Sequence, residues 1–499
     1  MSQIKIGWAE VSLLPPDGRK VNAVGQFYER ITDVVETPIT VTALAIEGDG
    51  DCAVICSCDL TSASVRLTAE VKARLQGVLP TDKVLVHATH THTAMGYADN
   101  SDSAKLGGSF DVLQELLPNA RYEKLVHYEG ADLLAGEEAL AHLADRIAAA
   151  AKKAWERRAE GGFAQGFGRA AVGMCRRVCY SDGSAKMWGD TDTATFTELE
   201  GGNDSGIEML FLYDKNEKLT GVVANVACPS QVLEHRSFLS SDYWGKVKEN
   251  LRRAWGEDIF VLGLCSPAGD QCPRDLVRWV EPESPINDPN IIRNDVTVRK
   301  ADPSMFDLSG CARIGRRIAT EIIFAREEIT DADYITDCAF THKNLTLHMP
   351  LRRVTPAELE SARTAISSFA EKVGGGVINF KDKATLHVHT GTIARGILQE
   401  TIDVVPIEVH VMRLGPVALA TNPYELFLDY GNRIRARSKA SQTFLVQQCC
   451  GSFGYVPTEK AERGSHYSAY VSSGTVGHEG GDLLVRKTVS EINDMLKND

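Results

Sequence analysis

The chain has 499 residues, with 54 Lys and Arg against 67 Asp and Glu and a net charge of −13 at neutral pH. Hydrophobic residues make up 43% and charged residues 24%, the balance of a globular protein in water. This acidity, with no basic stripe to neutralise phosphates, argues against a nucleic-acid partner, and no apolar run approaches the ~20 residues of a membrane span.

The opening Met1-Ser-Gln-Ile-Lys-Ile-Gly-Trp8 lacks the basic-then-apolar pattern of an export signal. The 12 cysteines therefore fit a reducing cytosol better than a disulfide framework, and a cytoplasmic location is expected. Residues 4–11 read as a strand closed by Pro15-Pro16. Two apolar strands, 39–46 and 52–58, are joined by the hairpin signal Gly48-Asp-Gly-Asp51. An amphipathic helix through Val65, Val71, Leu75 and Val78 then returns to a strand starting at Val84. This strand–helix–strand unit runs into Thr89-His-Thr-His-Thr93, with His90 at the C-terminal end of its second strand. Sites commonly gather there in α/β sheets. Side chains two apart on a strand share a face, so His90 and His92 are expected to look into one site, metal-binding or catalytic.

Residues 97–135 read as a polar, irregular excursion over that site. A long helix follows, with Leu140, Leu143, Ile147, Ala151 and Trp155 on one face. Arg176 and Arg177 lie in a strand region before the turn Ser181-Asp-Gly-Ser184. Strands over 209–212 and 219–226 run into Ala227-Cys-Pro-Ser-Gln231, and Asp242 opens a helix reaching Trp255. A buried strand over 260–264 ends in Cys265-Ser-Pro-Ala-Gly-Asp-Gln-Cys-Pro-Arg-Asp275. Residues 281–307 read as a long loop before a helix carrying Ile314, Ile318 and Ile322. The segment 331–410 has its own strands and a helix start marked by Thr355, Pro356 and Glu358. A strand over 417–420 leads to Asn422-Pro-Tyr-Glu425, where Pro423 is expected to begin a helix. The last core strand, 444–447, precedes Cys449-Cys-Gly-Ser-Phe-Gly-Tyr-Val-Pro-Thr458, and one short helix closes the tail.

Short Gly- and Pro-marked polar segments thus each follow a buried strand, as when loops at one sheet edge assemble a site. In order, they resemble segments of the catalytic domain of the neutral/alkaline (non-lysosomal) ceramidases over nearly the whole chain. Thr89-His-Thr-His92 resembles that family's first zinc segment, and Ala227 to Gln231 through Ser241-Asp242 its second. Gly269-Asp-Gln-Cys-Pro273 resembles its Gly-Asp-x-Ser-Pro segment and Tyr424-Glu425 to Gly431 its Gly-Glu segment. Gly454 to Thr458 with Tyr467 resembles the two-tyrosine segment, and Pro15-Pro16 with Thr37 to Ala45 the family's start. The resemblance implies a mixed α/β fold, with large mixed sheets and helices packed outside. One catalytic domain is expected over 1–499, with 331–410 as a possible subdomain; the family's lipid-processing members typically add a C-terminal immunoglobulin-like domain, and none is expected here.

Carried over residue by residue, the resemblance implies that His90, Glu425 and Tyr455 are zinc ligands. His92 would handle the leaving-group proton, Tyr467 would donate to the developing oxyanion, and Arg176 would help hold the substrate. Where the family has its second zinc histidine, this chain has Cys228, whose thiolate is itself a good zinc ligand. His235 is the other candidate for that position, and with Gln231 it is counted among the substrate-binding residues. The family's serine is Cys272 here, beside Asp270 and Arg274, and both Cys272 and Asp270 stand as catalytic candidates. The expectation is a zinc-dependent amidohydrolase that cleaves an amide or related C–N bond with metal-activated water. A chain read as cytosolic, with altered loops, points to a small polar substrate rather than ceramide; a homo-oligomer stays open. The competing readings are a cysteine hydrolase using Cys272 with His92 as base, a metal-free ligand-binding scaffold, and a barrel-type amidohydrolase suggested by the His-x-His pair alone.

Overall fold

Residues 2–25, 29–102, 109–122, 128, 130–278 and 307–497 are described in a computed structural model. The larger of its two main sheets holds β1 (Lys5–Ser12), β2 (Thr40–Gly48), β3 (Asp51–Cys58), β4 (Val84–Ala88), β5 (Ala159–Arg169), β6 (Gly206–Asp214), β7 (Leu219–Val226) and β8 (Phe260–Cys265). Their order is β8-β7-β6-β5-β1-β2-β3-β4. The smaller sheet holds β9 (Phe340–Pro350), β10 (Val404–Leu414), β11 (Val417–Thr421) and β12 (Gln442–Val446), in that order. The helices used below are α1 (Val65–Arg74), α2 (Ser109–Leu116), α3 (Gly136–Glu156), α4 (Tyr243–Trp255), α5 (Asp307–Glu327), α6 (Pro356–Val373), α7 (Phe380–Leu398), α8 (Leu428–Arg435) and α9 (His478–Met495).

Three strand pairs within these sheets are parallel: β3 with β4, β7 with β8, and β11 with β12. A parallel pair cannot be joined by a tight turn and needs a crossover. The crossovers contain α1, α4 and α8 respectively. Their C-terminal ends are stitched together by backbone bonds from Ser266 to Val226, from Gln447 to Cys265 and from Ala88 to Gln448. The loops that follow are thereby brought to one edge, and the polar segments of the sequence lie in those loops.

The helices bury their apolar faces outside this pair of sheets. The Ala-rich face of α3 and the inner face of α1 pack on β1 to β4 through Leu143, Ile147, Ala151, Leu67 and Val71. Trp244 and Val247 of α4 and Ile314, Ile318 and Ile322 of α5 cover the other half of the large sheet. The sheets meet through Trp8, Leu44, Leu85, Leu212, Met412 and Phe444. Tyr430 and Ile434 of α8 and Leu484 and Ile492 of α9 close the far side of the small sheet. The result is a helix–sheet–sheet–helix stack of the mixed α/β class. Among the described residues the large sheet is open, ending at β8 and β4, so it is not a closed parallel barrel. No helix there is long and apolar enough to cross a membrane.

Local expectations fail where distant partners decide. Within 97–135 the chain forms α2, whose Val112 and Leu113 are buried against Ala362 and Ile366 of α6 and Leu386 of α7. No helix starts at Pro423. Glu425–Leu426 instead pairs in parallel with Tyr455–Val456, and α8 begins at Leu428. The last helix, α9, is 18 residues long rather than short. Within 331–410, β9 and β10 share a sheet with β11 and β12, whereas α6 and α7 form a separate cluster with α2. Of the loop expected over 281–307, residues 281–306 lie outside the described residues and Asp307 already begins α5; 103–108, 123–127 and 129 of the excursion also lie outside.

Candidate active site

β4 stops at Ala88, and His90 takes a left-handed backbone with φ of 63°. A non-glycine residue there costs on the order of 1–2 kcal/mol, which the surrounding structure must supply. The two imidazoles therefore meet through a turn and not by strand alternation. Their rings lie at 80° with His90 Nε2 and His92 Nε2 3.3 Å apart. His90 Nδ1 is 2.6 Å from the carbonyl oxygen of Thr61, so Nδ1 carries the proton and Nε2 is a bare acceptor. That acceptor also faces the carboxylate oxygen Glu425 Oε2 at 3.3 Å.

Glu425 is brought there by its parallel pairing opposite Tyr455. Burial works to raise its carboxyl, but interaction with His90, the charge of Arg176 and a hydrogen bond from Tyr455 hold it below the usual range. Arg176 sits in the break between the short strands Met174–Cys175 and Arg177–Tyr180. Its Nη2 donates to the Gly269 carbonyl at 2.9 Å and to the Tyr455 hydroxyl at 3.3 Å, and lies 4.0 Å from Glu425. Its Nη1 donates to Gln231 Oε1 at 3.3 Å. The ring of Tyr467 meets that of Tyr455 edge to face at 5.5 Å, and at 40% exposure it forms the rim of a site whose floor is the buried Arg176.

His90, His92, Arg176, Gln231, Glu425, Tyr455 and Tyr467 are thus brought together, and the remaining candidates point elsewhere. The Cys228 sulfur lies 3.5 Å from the Pro229 carbonyl and 3.8 Å from that of Val172, and burial pushes the thiol well up. His235 is 3.5 Å from Asp307, which also takes Arg236 at 2.6 Å. Asp270 accepts the backbone N–H of Leu428 at 2.9 Å, holding the start of α8, and burial pushes its carboxyl up to about 6. Cys272 is fully buried with its sulfur 3.3 Å from the Arg274 carbonyl, and burial pushes its thiol up to about 12.

Three contributors carry no motif in the sequence. Glu234 Oε2 lies 3.3 Å from His92 Nδ1, although off the line of a well-aligned hydrogen bond. Burial opposes its charge, but His92, Arg274 and His235 hold its carboxyl at about 2. Burial in turn lowers His92, keeping the imidazole neutral. Arg30, fully buried, clamps the surrounding loops by donating to the carbonyls of Val24, His92, Glu234 and Arg236 at 2.6 to 2.7 Å. The carbonyl of Thr61 sets the His90 tautomer. The adjacency of Glu234 to His235 in the second polar segment was the one available signal.

Two acceptors such as His90 Nε2 and Glu425 Oε2 repel unless a proton or a cation lies between them. Ligands bound to a tetrahedral zinc at ~2.0–2.1 Å stand ~3.3–3.4 Å apart, so this pair fits such an ion. Among the described residues no other His, Cys, Asp or Glu brings a ligand atom within 4.8 Å of both. The next donor at that point is the Tyr455 phenol.

No family model and no curated protein matches the chain. Among solved structures it is similar to the neutral ceramidase of Pseudomonas aeruginosa, with a TM-score of 0.65 at 17% identity over 99% of this chain and 75% of that one. It is also similar to a ceramidase complexed with C2, with a TM-score of 0.64 at 15% identity over 98% and 74% of the two chains. The fold is neutral-ceramidase-like.

Proposed function

We propose that this chain is a metal-dependent hydrolase that cleaves an amide or related C–N bond in a small polar substrate. The opposed acceptors His90 Nε2 and Glu425 Oε2, 3.3 Å apart with Tyr455 beside them, carry this reading, and the ceramidase-like fold supports it. His90, Glu425 and Tyr455 would hold the ion, with zinc the expected metal. Such an ion acidifies a water and polarises an acyl oxygen. The chain's own groups do the rest. His92, neutral because it is buried, can take a proton and return it to the departing amine. Glu234 stays ionised beside it and stabilises the imidazolium when it forms. Tyr467 at the rim donates to the developing oxyanion, while Arg176 and Gln231 provide a polar floor for the substrate. Cys272 turns its sulfur to the Arg274 carbonyl, and a thiol pushed up to about 12 is a poor nucleophile near neutral pH, which disfavours the cysteine-hydrolase reading. One catalytic domain spanning the chain, acting in the cytoplasm, completes the proposal.

The test is metal analysis of purified protein together with turnover of a panel of short N-acyl compounds. Chelation should abolish hydrolysis and zinc should restore it. Full activity in protein stripped of metal would overturn the reading.

A further inference from the structure

A second group of ligating side chains lies away from His90 and belongs to none of the chemistry above. Glu408 and His410 are two apart on β10 and share one face of the small sheet. Cys450 reaches them from the loop after β12, in a left-handed conformation with φ of 56° and its N–H on the Val86 carbonyl of β4. His410 Nε2 lies 2.7 Å from Glu408 Oε1 and 3.7 Å from the Cys450 sulfur.

The proton positions follow from a chain of contacts. His342 on β9 has Nδ1 2.9 Å from the Cys52 carbonyl, so Nδ1 is protonated and its Nε2 is an acceptor. That acceptor lies 2.9 Å from His410 Nδ1, which must therefore donate. In neutral His410, Nε2 is then bare and faces a carboxylate oxygen and a sulfur. Three electron-rich atoms converge, and the one cation paired with them, Lys72, lies on Glu408 Oε1 and not between the three. Metal-ligating imidazoles typically donate their second ring N–H to a fixed acceptor, and His342 Nε2 takes that place here.

We infer that Glu408, His410 and Cys450 form a second divalent-metal site, independent of the proposed active site. The donor set of imidazole, thiolate and carboxylate suits a borderline-soft ion such as zinc rather than calcium or magnesium. An imidazole nitrogen and a thiolate on a tetrahedral zinc stand ~3.6 Å apart, close to the separation seen, whereas Glu408 Oε1 lies at hydrogen-bond distance, 2.7 Å from His410 Nε2, and would move out to ~3.3 Å to share the ion. Glu408 is partly exposed and gives an entry path, while His410 and Cys450 are buried. Lys72 of α1 pairs with Glu408, and the Cys449 sulfur lies 3.9 Å from that of Cys450. The rival occupant is a single proton on His410, shared between Glu408 and the sulfur. Metal binding displaces that proton and pins the Cys449–Cys450 turn, which bridges to His87 on the strand leading to His90.

The test uses the whole 499-residue chain carrying His90→Ala, which disables the other site, and Cys228→Ser, which removes the thiol that the sequence suggests for it, with Co2+ as the probe. One equivalent should bind with a thiolate-to-cobalt charge-transfer band. Adding Cys450→Ser should remove both, and Glu408→Gln, a near-isosteric change at a partly exposed position, should weaken binding ~10–100-fold. The inference is overturned if the parent shows no thiolate-bound cobalt or if Cys450→Ser leaves band and stoichiometry intact. Should Cys450→Ser fail to fold, unchanged affinity in Glu408→Gln overturns it alone.

Discussion

A left-handed backbone at His90 puts two imidazoles edge to face, and the Thr61 carbonyl then decides which nitrogen is bare. The two histidines should consequently fail in different ways. His90→Ala should lose active-site metal and activity together. His92→Ala should keep the metal and slow turnover ~10²–10⁴-fold, the scale for losing a general acid–base group; equal metal loss in both would refute the division of labour. Glu234→Gln keeps the shape beside His92 but removes the charge. It should cost ~10–100-fold in kcat with metal content unchanged. Cys272→Ser should retain most activity, and a dead Cys272→Ser protein with its metal intact would revive the thiol mechanism. At this scale the sequence was informative for residues in short marked segments, where type and order suffice. It was silent on Arg30 and offered for Glu234 only its place beside His235, because their roles depend on partners roughly 60 to 200 residues away.

Among the elements, the pairing of Glu425–Leu426 with Tyr455–Val456 matters most, because it sets Glu425 directly opposite Tyr455. Periodicity locates the long strands and helices, since their burial pattern is a property of the local sequence. A two-residue parallel bridge has no period, so a helix from Pro423 was the natural local expectation and tertiary pairing overrode it. The bridge is held by the preceding loop: the Gly269 N–H donates to the Leu426 carbonyl, and a Cβ at Gly269 would come within 2.3 Å of the Glu425 carbonyl oxygen. That neighbour is backbone and cannot swing aside. Gly269→Ala should therefore displace Glu425, lowering stability by about 1–3 kcal/mol and active-site metal affinity by at least ~10-fold. Isothermal titration on the folded variant would check this. Wild-type affinity would show that the loop does not position the ligand.

Over the whole molecule, the stack of helices on sheets is tied by ion pairs sunk beneath its outer layer. Lys248 of α4 lies 3.3 Å from Glu10 of β1 and 3.6 Å from Asp59, and Arg252 reaches Glu10 at 2.8 Å. Burial pushes the Glu10 carboxyl up, but the two cations outweigh it and hold it at about 2. Asp59 is shifted the other way, raised by burial despite Lys248. A carboxyl depressed on folding binds its proton less readily in the folded chain than in the unfolded one. The stability it contributes is present above the unfolded value of 4.5 and is lost as pH falls from there through about 2. Glu234 and Glu408 are likewise held at about 2, so the acid limb of the parent should be steeper than one group would give. Glu10→Gln removes one of these contributions. It should destabilise the protein by about 1–3 kcal/mol at pH 7, and the difference from the parent should shrink steadily below about pH 4.5. Urea unfolding at intervals between pH 3 and 7 measures it. A difference that does not change with pH would assign the loss to packing and remove the ion pairs as the tie between α4 and β1.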